Sequence, residues 1–462
     1  MCRWRSAGAP PWHQAPRPGW SEADPDAVAE AAFGTVREVV EQVGADHVVA
    51  IGVSGTACGA WLLDRAGDPV GPAILWNDGR AAAVTASWHA TGVAGRIFDI
   101  SGNAPFPGYT LSVLSWLATN EADRLRAAAS VVCCKDFLRH RLTGIVASDE
   151  SDASYVPMDM RARTWSDELL ELTGTSAWRS LLPELLDPRT TQPLLHEPAR
   201  LTGLRAGTPV AVGATDIVAG LVGAGATRPG DTVSILGTSA NSTVISDALP
   251  LEPRGIGIMA ASPLGRYARS LINTSGSETL DWGAPAHRRG RGQTHGAGRA
   301  GACGCRRGDP VPYLSPAGTV SPTYDPMATG GLAGLRSHHG PAHVARAVVE
   351  GLALAVADCY DHMALPVDRI RAVGGAARSD LLLQALADLT GHPVDRMAME
   401  ESGARGVAVL AAWAVGATDD LDGLAAHADV AHRFEPRADG PLAGALARYQ
   451  DLARSRVGGT AR

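Results

Sequence analysis

One carboxylate stands in an otherwise small and apolar stretch: Asp216, in "VAVGATDIVAGLVGAG" from Val210 to Gly225. An ionised carboxylate among apolar neighbours is costly unless it is paired, hydrogen-bonded or held for chemistry. Three roles fit this residue type at this place. Asp216 caps the helix suggested by Ile217 to Gly223, or acts as a general base facing a cleft, or ligates a cation. The segment by itself leaves all three open.

Two further motifs have the make-up of phosphate-binding elements. "SILGTSANSTVI" sets Gly237, Thr238 and Ser239 between two β-rich runs, so they form the tip of an expected hairpin. Glycine there lets backbone N–H groups come close to a phosphate, and the two hydroxyls add hydrogen bonds. An ordinary turn has the same composition. "IRAVGGAARSD" reads as a strand ending at Gly374 and Gly375, followed by a helix that opens at Ser379 and Asp380. Its N-terminal amides suit a nucleotide, and a plain strand-to-helix turn is the other reading.

The elements that must position these residues alternate. "DAVAEAAFGTVREVVEQVG" has helical spacing, and "HVVAIGVSG" reads as a buried strand running into a loop. "AILWND" follows as a strand end, "SVLSWLATNEADRLRAAA" as one helix, and "SVVCCKDFLRHRLTG" as a strand passing into a helix. After the turn "RPGD" a second series opens with the Gly-Thr-Ser hairpin. It continues through the long helix "AHVARAVVEGLALAVADCYDHM" and ends with the buried helix "GARGVAVLAAWAVG". Alternation of this kind implies an α/β architecture.

Size and composition narrow the classes. With 462 residues and 45% hydrophobic content the chain can build two or three domains. A net charge of -7 and a pI near 6.1 lack the basic balance behind non-specific nucleic-acid binding. No apolar run is long enough for a membrane span, and the first twenty residues lack the core of a secretory signal, so a cytoplasmic location is expected. Seven cysteines, including adjacent Cys133 and Cys134, form no disulfide framework, and Cys303 with Cys305 lacks a second matching pair for a metal. Lys135 is the only lysine, which reads as a coding bias towards arginine.

The order of these motifs, aspartate first, Gly-Thr-Ser hairpin next and Gly-Gly turn last, resembles the FGGY carbohydrate kinases. Also similar to that family are "RPGWSEADPDAV", "IGVSGTACGAWLLD", "KDFLRHRLTGIVASDESDAS", "SPTYDPMATGGLAGL" and "ESGARGVAVLAAWAVG", while "AILWNDGRA" is similar to its xylulokinases. The resemblance runs from about Pro16 to Gly416. It implies an α/β fold of two actin-like ATPase (ribonuclease-H-like) domains, the first lacking its initial strands, closing over ATP and sugar. The corresponding divisions are an irregular N-terminus 1–20, an incomplete N-terminal domain 21–227, a C-terminal domain 228–430 and a helical tail 431–462. By the same resemblance Asp216 is the general base for phosphorylation of a small sugar or polyol by ATP with Mg²⁺. Gly237, Thr238 and Ser239 then contact the phosphates, Gly276 lies near the nucleotide, and Gly375, Ala376 and Ser379 meet adenosine. Ala57, Cys58, Asn77 and Asp78 contact the sugar. No nucleic-acid or membrane partner is expected, and a homodimer is the candidate assembly.

This chain also departs from the family pattern. The usual Asp-x-Gly-Thr strand and phosphate loop is absent, so "HVVAIGVSG" is expected to carry unpaired backbone groups and an exposed apolar face. "TACG", Thr56 to Gly59, stands for Gln-Met-His-Gly, and "GATDI", Gly213 to Ile217, for Gly-Gly-Gly-Asp-Asn. Fewer hydrogen-bonding groups then select the sugar, which leaves D-xylulose, another ketose or a polyol open. The Gly/Arg tract 285–309 lies where relatives have helical sequence. It reads as a disordered loop or a stretch in a shifted frame, with RNA binding as a third reading. A non-catalytic kinase remnant is the alternative to an active enzyme.

Overall fold

Asp24 and Pro25 start the first long helix, Pro25–Val43: the Asp24 carboxylate accepts from the Asp26 N–H at 3.0 Å and the Ala27 N–H at 3.3 Å. Gly44, at φ 82°, ends it. Val40 of this helix joins Val53, Leu142, Leu194, Leu204 and Val210 in one core cluster. Each such aliphatic side chain stabilises the fold by roughly 1.5–3 kcal/mol on burial. Val53 and Val210 anchor the segments that lead to Ser54–Gly55 and Ala214–Thr215, two short strands paired in parallel.

The structure, a computed structural model, describes residues 13–273, 276, 277, 279, 280, 321, 322, 330–438, 440 and 442–457. The Gly/Arg tract 285–309, with Cys303 and Cys305, and residues 1–12 lie outside the described residues. Of the N-terminus expected to be irregular, His13–Gln14 forms a short strand. His13–Gln14 pairs with Glu22–Ala23, which in turn pairs with Ala73–Ile74. The reason is aromatic: Trp20 sits edge-on to Trp116 at 5.5 Å, with the Arg80 guanidinium 3.8 Å from its ring centre.

Two compact units make up the chain. The first takes in the chain up to Val222 together with Met259–Gly265 and Gly403–Leu424; the second holds the rest. The helix Ser402–Ala414, placed by sequence with the second half, therefore lies almost wholly in the first unit. It packs there against the helix Asp216–Gly223 so closely that a Cβ on Gly406 would fall 1.8 Å from the Ala219 carbonyl oxygen. Within this unit "HVVAIGVSG" forms less strand than its sequence suggests. Ile51 bridges Val210 and Ser54–Gly55 pairs with Ala214–Thr215, while Val49 is 74% exposed. Val48 and Ile51 pack against the core cluster that holds Val53. The helix expected over "SVLSWLATNEADRLRAAA" divides into Thr110–Asn120 and Ala122–Ala127 at Glu121, whose φ of -137° is not helical.

The second unit is built on a mixed sheet. Six of its consecutive strands are Arg266–Asn273, Ala240–Ser246, Thr232–Leu236, Ile370–Val373, Val394–Met397 and Val430–Phe434. The three central strands Thr232–Leu236, Ile370–Val373 and Val394–Met397 are parallel, and the outer pairings are antiparallel. Parallel neighbours need crossover connections, which the helices Pro341–Met363 and Asp380–Thr390 supply. Leu352, Val356, Leu382 and Leu386 of these helices share one core with Val244, Leu271 and Ile370 of the sheet. Phe434 belongs to the same core, which explains a second correction: the tail expected to be helical from 431 opens with an edge strand, and its helix is Ala445–Val457.

Candidate active site

In the first unit, the strand Ala214–Thr215 delivers Asp216 to the first turn of a helix, in register with Ser54 and Gly55 of its partner. The turn before it needs glycine. Gly213 has φ 76°, and a Cβ there would meet the Val53 carbonyl oxygen at 1.8 Å. Asp216 Oδ1 accepts from the Ile217 N–H at 2.7 Å, so one oxygen meets an otherwise unpaired helix amide. The other oxygen makes no hydrogen bond among the described residues, and the side chain is open to solvent. The crowd of protein around the carboxylate disfavours its charge and raises its pKa to about 6, a rise that the Ile217 N–H moderates. An accessible carboxylate with one unengaged oxygen and a pKa near neutrality can accept a proton from a ligand hydroxyl.

The sugar-side residues separate into two kinds. Ala57 and Cys58 are buried in the loop after Ser54–Gly55, with Cys58 at φ 66°. Burial, followed by the fields of Asp216 and Asp152, pushes the Cys58 thiol well up, so it stays a neutral thiol within reach of the Asp216 charge. Asn77 is exposed and available to a ligand. Asp78 is not. Its carboxylate accepts from the Ser21 N–H at 2.6 Å, from the Arg80 N–H and Nε at 2.8 Å, and from Arg80 Nη2 at 2.9 Å. Arg80 is completed by Glu22 at 2.6 Å, so Asp78 belongs to a buried ion network that holds the loop.

Sequence reasoning passed over several residues here. Trp76, next to Asn77, is 50% exposed, and an aromatic at the end of an otherwise apolar strand was the available signal. Ser54 Oγ, Thr215 Oγ1 and the Tyr155 hydroxyl are buried without a hydrogen-bond partner. Burial first, and then the charge of Asp216 among others, pushes the Tyr155 hydroxyl up. Unpaired buried hydroxyls cost on the order of 1–3 kcal/mol each. Asp136, Asp149 and Asp152 lie close enough together to hold a cation, but Lys135 Nζ already occupies their centre, at 2.5, 3.0 and 3.2 Å respectively.

The second unit assembles the other candidate residues around a hairpin tip. Gly237 N–H donates to the Ser239 carbonyl at 3.0 Å, and Thr238 is exposed at the turn. Gly276 backs directly onto this tip: a Cβ on it would lie 2.2 Å from the Gly237 oxygen and 2.5 Å from the Thr238 oxygen. Ser277 N–H donates to that Gly237 oxygen at 2.7 Å. Gly374 follows the strand parallel to the hairpin, and its Cα faces the Leu236 carbonyl. The structure thus brings Gly237, Thr238, Ser239, Gly276 and the Gly374–Gly375 turn together. Gly375 is exposed there, whereas Ala376 and Ser379 face inward. The Ser379 hydroxyl caps the helix Asp380–Thr390 by accepting from the Leu382 N–H at 3.3 Å, so its side chain serves the fold.

Comparison with known proteins gives the family and the fold. The N-terminal domain of the FGGY family of carbohydrate kinases matches residues 7–223, and the C-terminal domain of that family matches residues 267–415. An erythritol kinase of Brucella abortus (strain 2308) is 32% identical over 88% of this chain and 81% of its own. A xylulose kinase of Escherichia coli (strain K12) is 34% identical over 80% of this chain and 77% of its own. The ligand-bound xylulose kinase structure from Lactobacillus acidophilus superposes with a TM-score of 0.89 at 21% identity, covering 97% of this chain and 92% of that one. A two-domain α/β kinase fold of the actin-like ATPase type is therefore established. The chain belongs to the FGGY family of carbohydrate kinases. It is a phosphotransferase with a carbohydrate acceptor and ATP as the family's phosphate donor, and the reading as a non-catalytic remnant is not favoured. No described helix is long and apolar enough to cross a membrane.

Proposed function

We propose that this kinase phosphorylates a small ketose or polyol and that Asp216 is its general base. The observation that carries the reading is the state of that carboxylate: exposed, with one oxygen unengaged and a pKa raised to about 6. Above that pH it is ionised and can take the proton of an acceptor hydroxyl as the oxygen attacks the γ-phosphoryl group of ATP. Asn77 and Trp76, both exposed, supply polar and stacking contacts that a polyhydroxy ligand requires. The relatives named for erythritol and for xylulose support a small acceptor of either kind.

The Gly237–Ser239 tip with Gly276 and Gly375 suits the phosphates of ATP. Gly276, packed against the tip, and Gly237 and Gly375, with no side chains of their own, let main-chain amides approach an anion. The tip residues would hold the phosphates whose charge Mg²⁺ would help to neutralise. The buried acidic triad does not fit the ion, because an ammonium group fills it.

A coupled ADP-release assay across ketopentoses and polyols tests the proposal. Turnover above the water background is expected for at least one acceptor, and Asp216→Ala is expected to lower kcat by about 10²–10⁴-fold. Equal turnover in the variant and the parent would remove Asp216 from the chemistry.

A further inference from the structure

The one lysine of this chain is fully buried, and its contacts converge on the segment that carries Asp216. Lys135 Nζ donates to the Val212 carbonyl at 3.3 Å and meets Asp149 Oδ1 at 3.0 Å. Asp149 Oδ1 accepts from Ser151 Oγ at 3.1 Å, and Ser151 Oγ accepts from the Thr215 N–H at 3.0 Å. The ammonium therefore fixes Val212 directly and Thr215 through two side chains, on either side of the Gly213–Ala214 turn. The next residue is Asp216. A further tie runs through the lysine's own backbone: a Cβ on Gly55 would lie 2.7 Å from the Lys135 nitrogen, and Gly55 stands opposite Thr215 in the parallel pair. Thr56, beyond it, contacts the sulfur of Cys134 through its amide and its hydroxyl.

We infer that Lys135, Asp149 and Ser151 form a positioning network that sets the direction of the Asp216 carboxylate and the placement of the Ala57–Cys58 loop together. The inference rests on the reading of Asp216 as general base. Its physical ground is that buried ion clusters seldom stabilise a fold better than apolar packing would, whereas they do impose direction. Three carboxylates around one ammonium would leave an uncompensated charge. Burial first, and then the charges of Asp136 and Asp149, push the Asp152 carboxyl up, against the pull of Lys135. Arg139, also fully buried and within the field of all three carboxylates, adds a second positive charge. Ser148 Oγ donates to Asp136 Oδ2 and completes that carboxylate.

Lys135→Met leaves buried carboxylates unpaired and is expected to compromise folding, so Ser151 gives the decisive variant. In the full-length protein, Ser151→Ala removes the acceptor of the Thr215 amide while keeping the ion cluster. Hydrogen–deuterium exchange of the peptide spanning 210–218 is expected to quicken by about tenfold or more, which is the loss of one net hydrogen bond of roughly 1.4 kcal/mol. In the same variant kcat is expected to fall by about 10–100-fold with the KM for ATP within about twofold of the parent, as misplacement of the base predicts. Ser151→Thr, which keeps the hydroxyl, is expected to return both quantities towards the parent. Unchanged exchange in Ser151→Ala, or faster exchange with a parental kcat, overturns the inference. An Asp216→Asn enzyme with parental kcat would refute the general-base reading instead, and the exchange measurement would still report whether Ser151 holds the strand.

Discussion

The two regions of this kinase proposed for the acceptor and for ATP are built on opposite principles. Around Asp216 the work is done by side chains: a carboxylate with a displaced pKa, a neutral thiol, unpaired hydroxyls and a buried ion cluster. Around the hairpin tip it falls to backbone, with Gly276 and Gly374 packed so tightly that a methyl group on either would collide with a carbonyl oxygen. The difference follows from what each region must handle. Proton transfer needs one group of tuned basicity at one place, whereas a triphosphate is held by several equivalent amide dipoles whose own charge never changes.

That contrast can be broken at either end, and the largest effect is expected at the carboxylate. Asp216→Asn keeps size and hydrogen bonding but cannot take a proton, so kcat should drop by about 10²–10⁴-fold with little change in ATP affinity. Its stability should hold or rise at pH 7–8. A carboxyl whose pKa is higher folded than unfolded favours the native state as pH falls, and loses that contribution as pH rises through about 6, so removing the charge relieves a cost. Thermal unfolding of parent and variant at pH 5 and pH 8 checks the sign. A kcat loss accompanied by an equal loss of ATP affinity would blur the division between the two regions.

The second effect is on pH dependence. The acid limb of kcat should bend near pH 6 and fall about tenfold per unit below it, as one group is protonated. A profile flat to pH 5 would mean that another residue accepts the proton. Next comes the backbone side. Gly276→Ala inserts a methyl group 2.2 Å from the Gly237 oxygen and should displace the tip, raising the KM for ATP by about tenfold while the KM for the acceptor stays near parental. The smallest effect is expected for Thr238→Ala. It removes one exposed hydroxyl from a tip made chiefly of backbone, and should raise the KM for ATP by about two- to fivefold. A larger loss at Thr238 than at Gly276 would show that side chains, and not amides, hold the phosphates.

Much of the nucleotide-side region was legible because its requirements are local. A hairpin with a Gly-Thr-Ser tip and a strand closed by Gly-Gly can be read within a dozen residues, and both form where the patterns put them. The acceptor side was legible only at its centre. Asp216 declared itself by standing alone among apolar residues, but Asn77 and Asp78, neighbours of similar chemistry, have opposite fates. Only the approach of Arg80, Ser21 and Glu22 from elsewhere decides that Asp78 is engaged within the fold while Asn77 is exposed. Ser379 shows the same effect on the other side, where a hydroxyl that suits a ligand becomes a helix cap.

Lys135 marks the limit most clearly. Its rarity read as compositional bias, and nothing within "VCCKDFL" says that Asp149 and Asp152 lie within 3.0 and 3.2 Å of its ammonium group. The sequence by itself determined the alternation of helices and strands, the glycine-built turns, the family and the identity of the candidate base. These depend on periodicity, on backbone freedom and on residue type, all properties of short stretches. The tertiary structure alone decided which polar groups are consumed by partners, which are left open, and how far burial moves a carboxyl. Such outcomes depend on charges and apolar surface brought in from distant parts of the chain, and the strength of those interactions is set by the burial that folding creates.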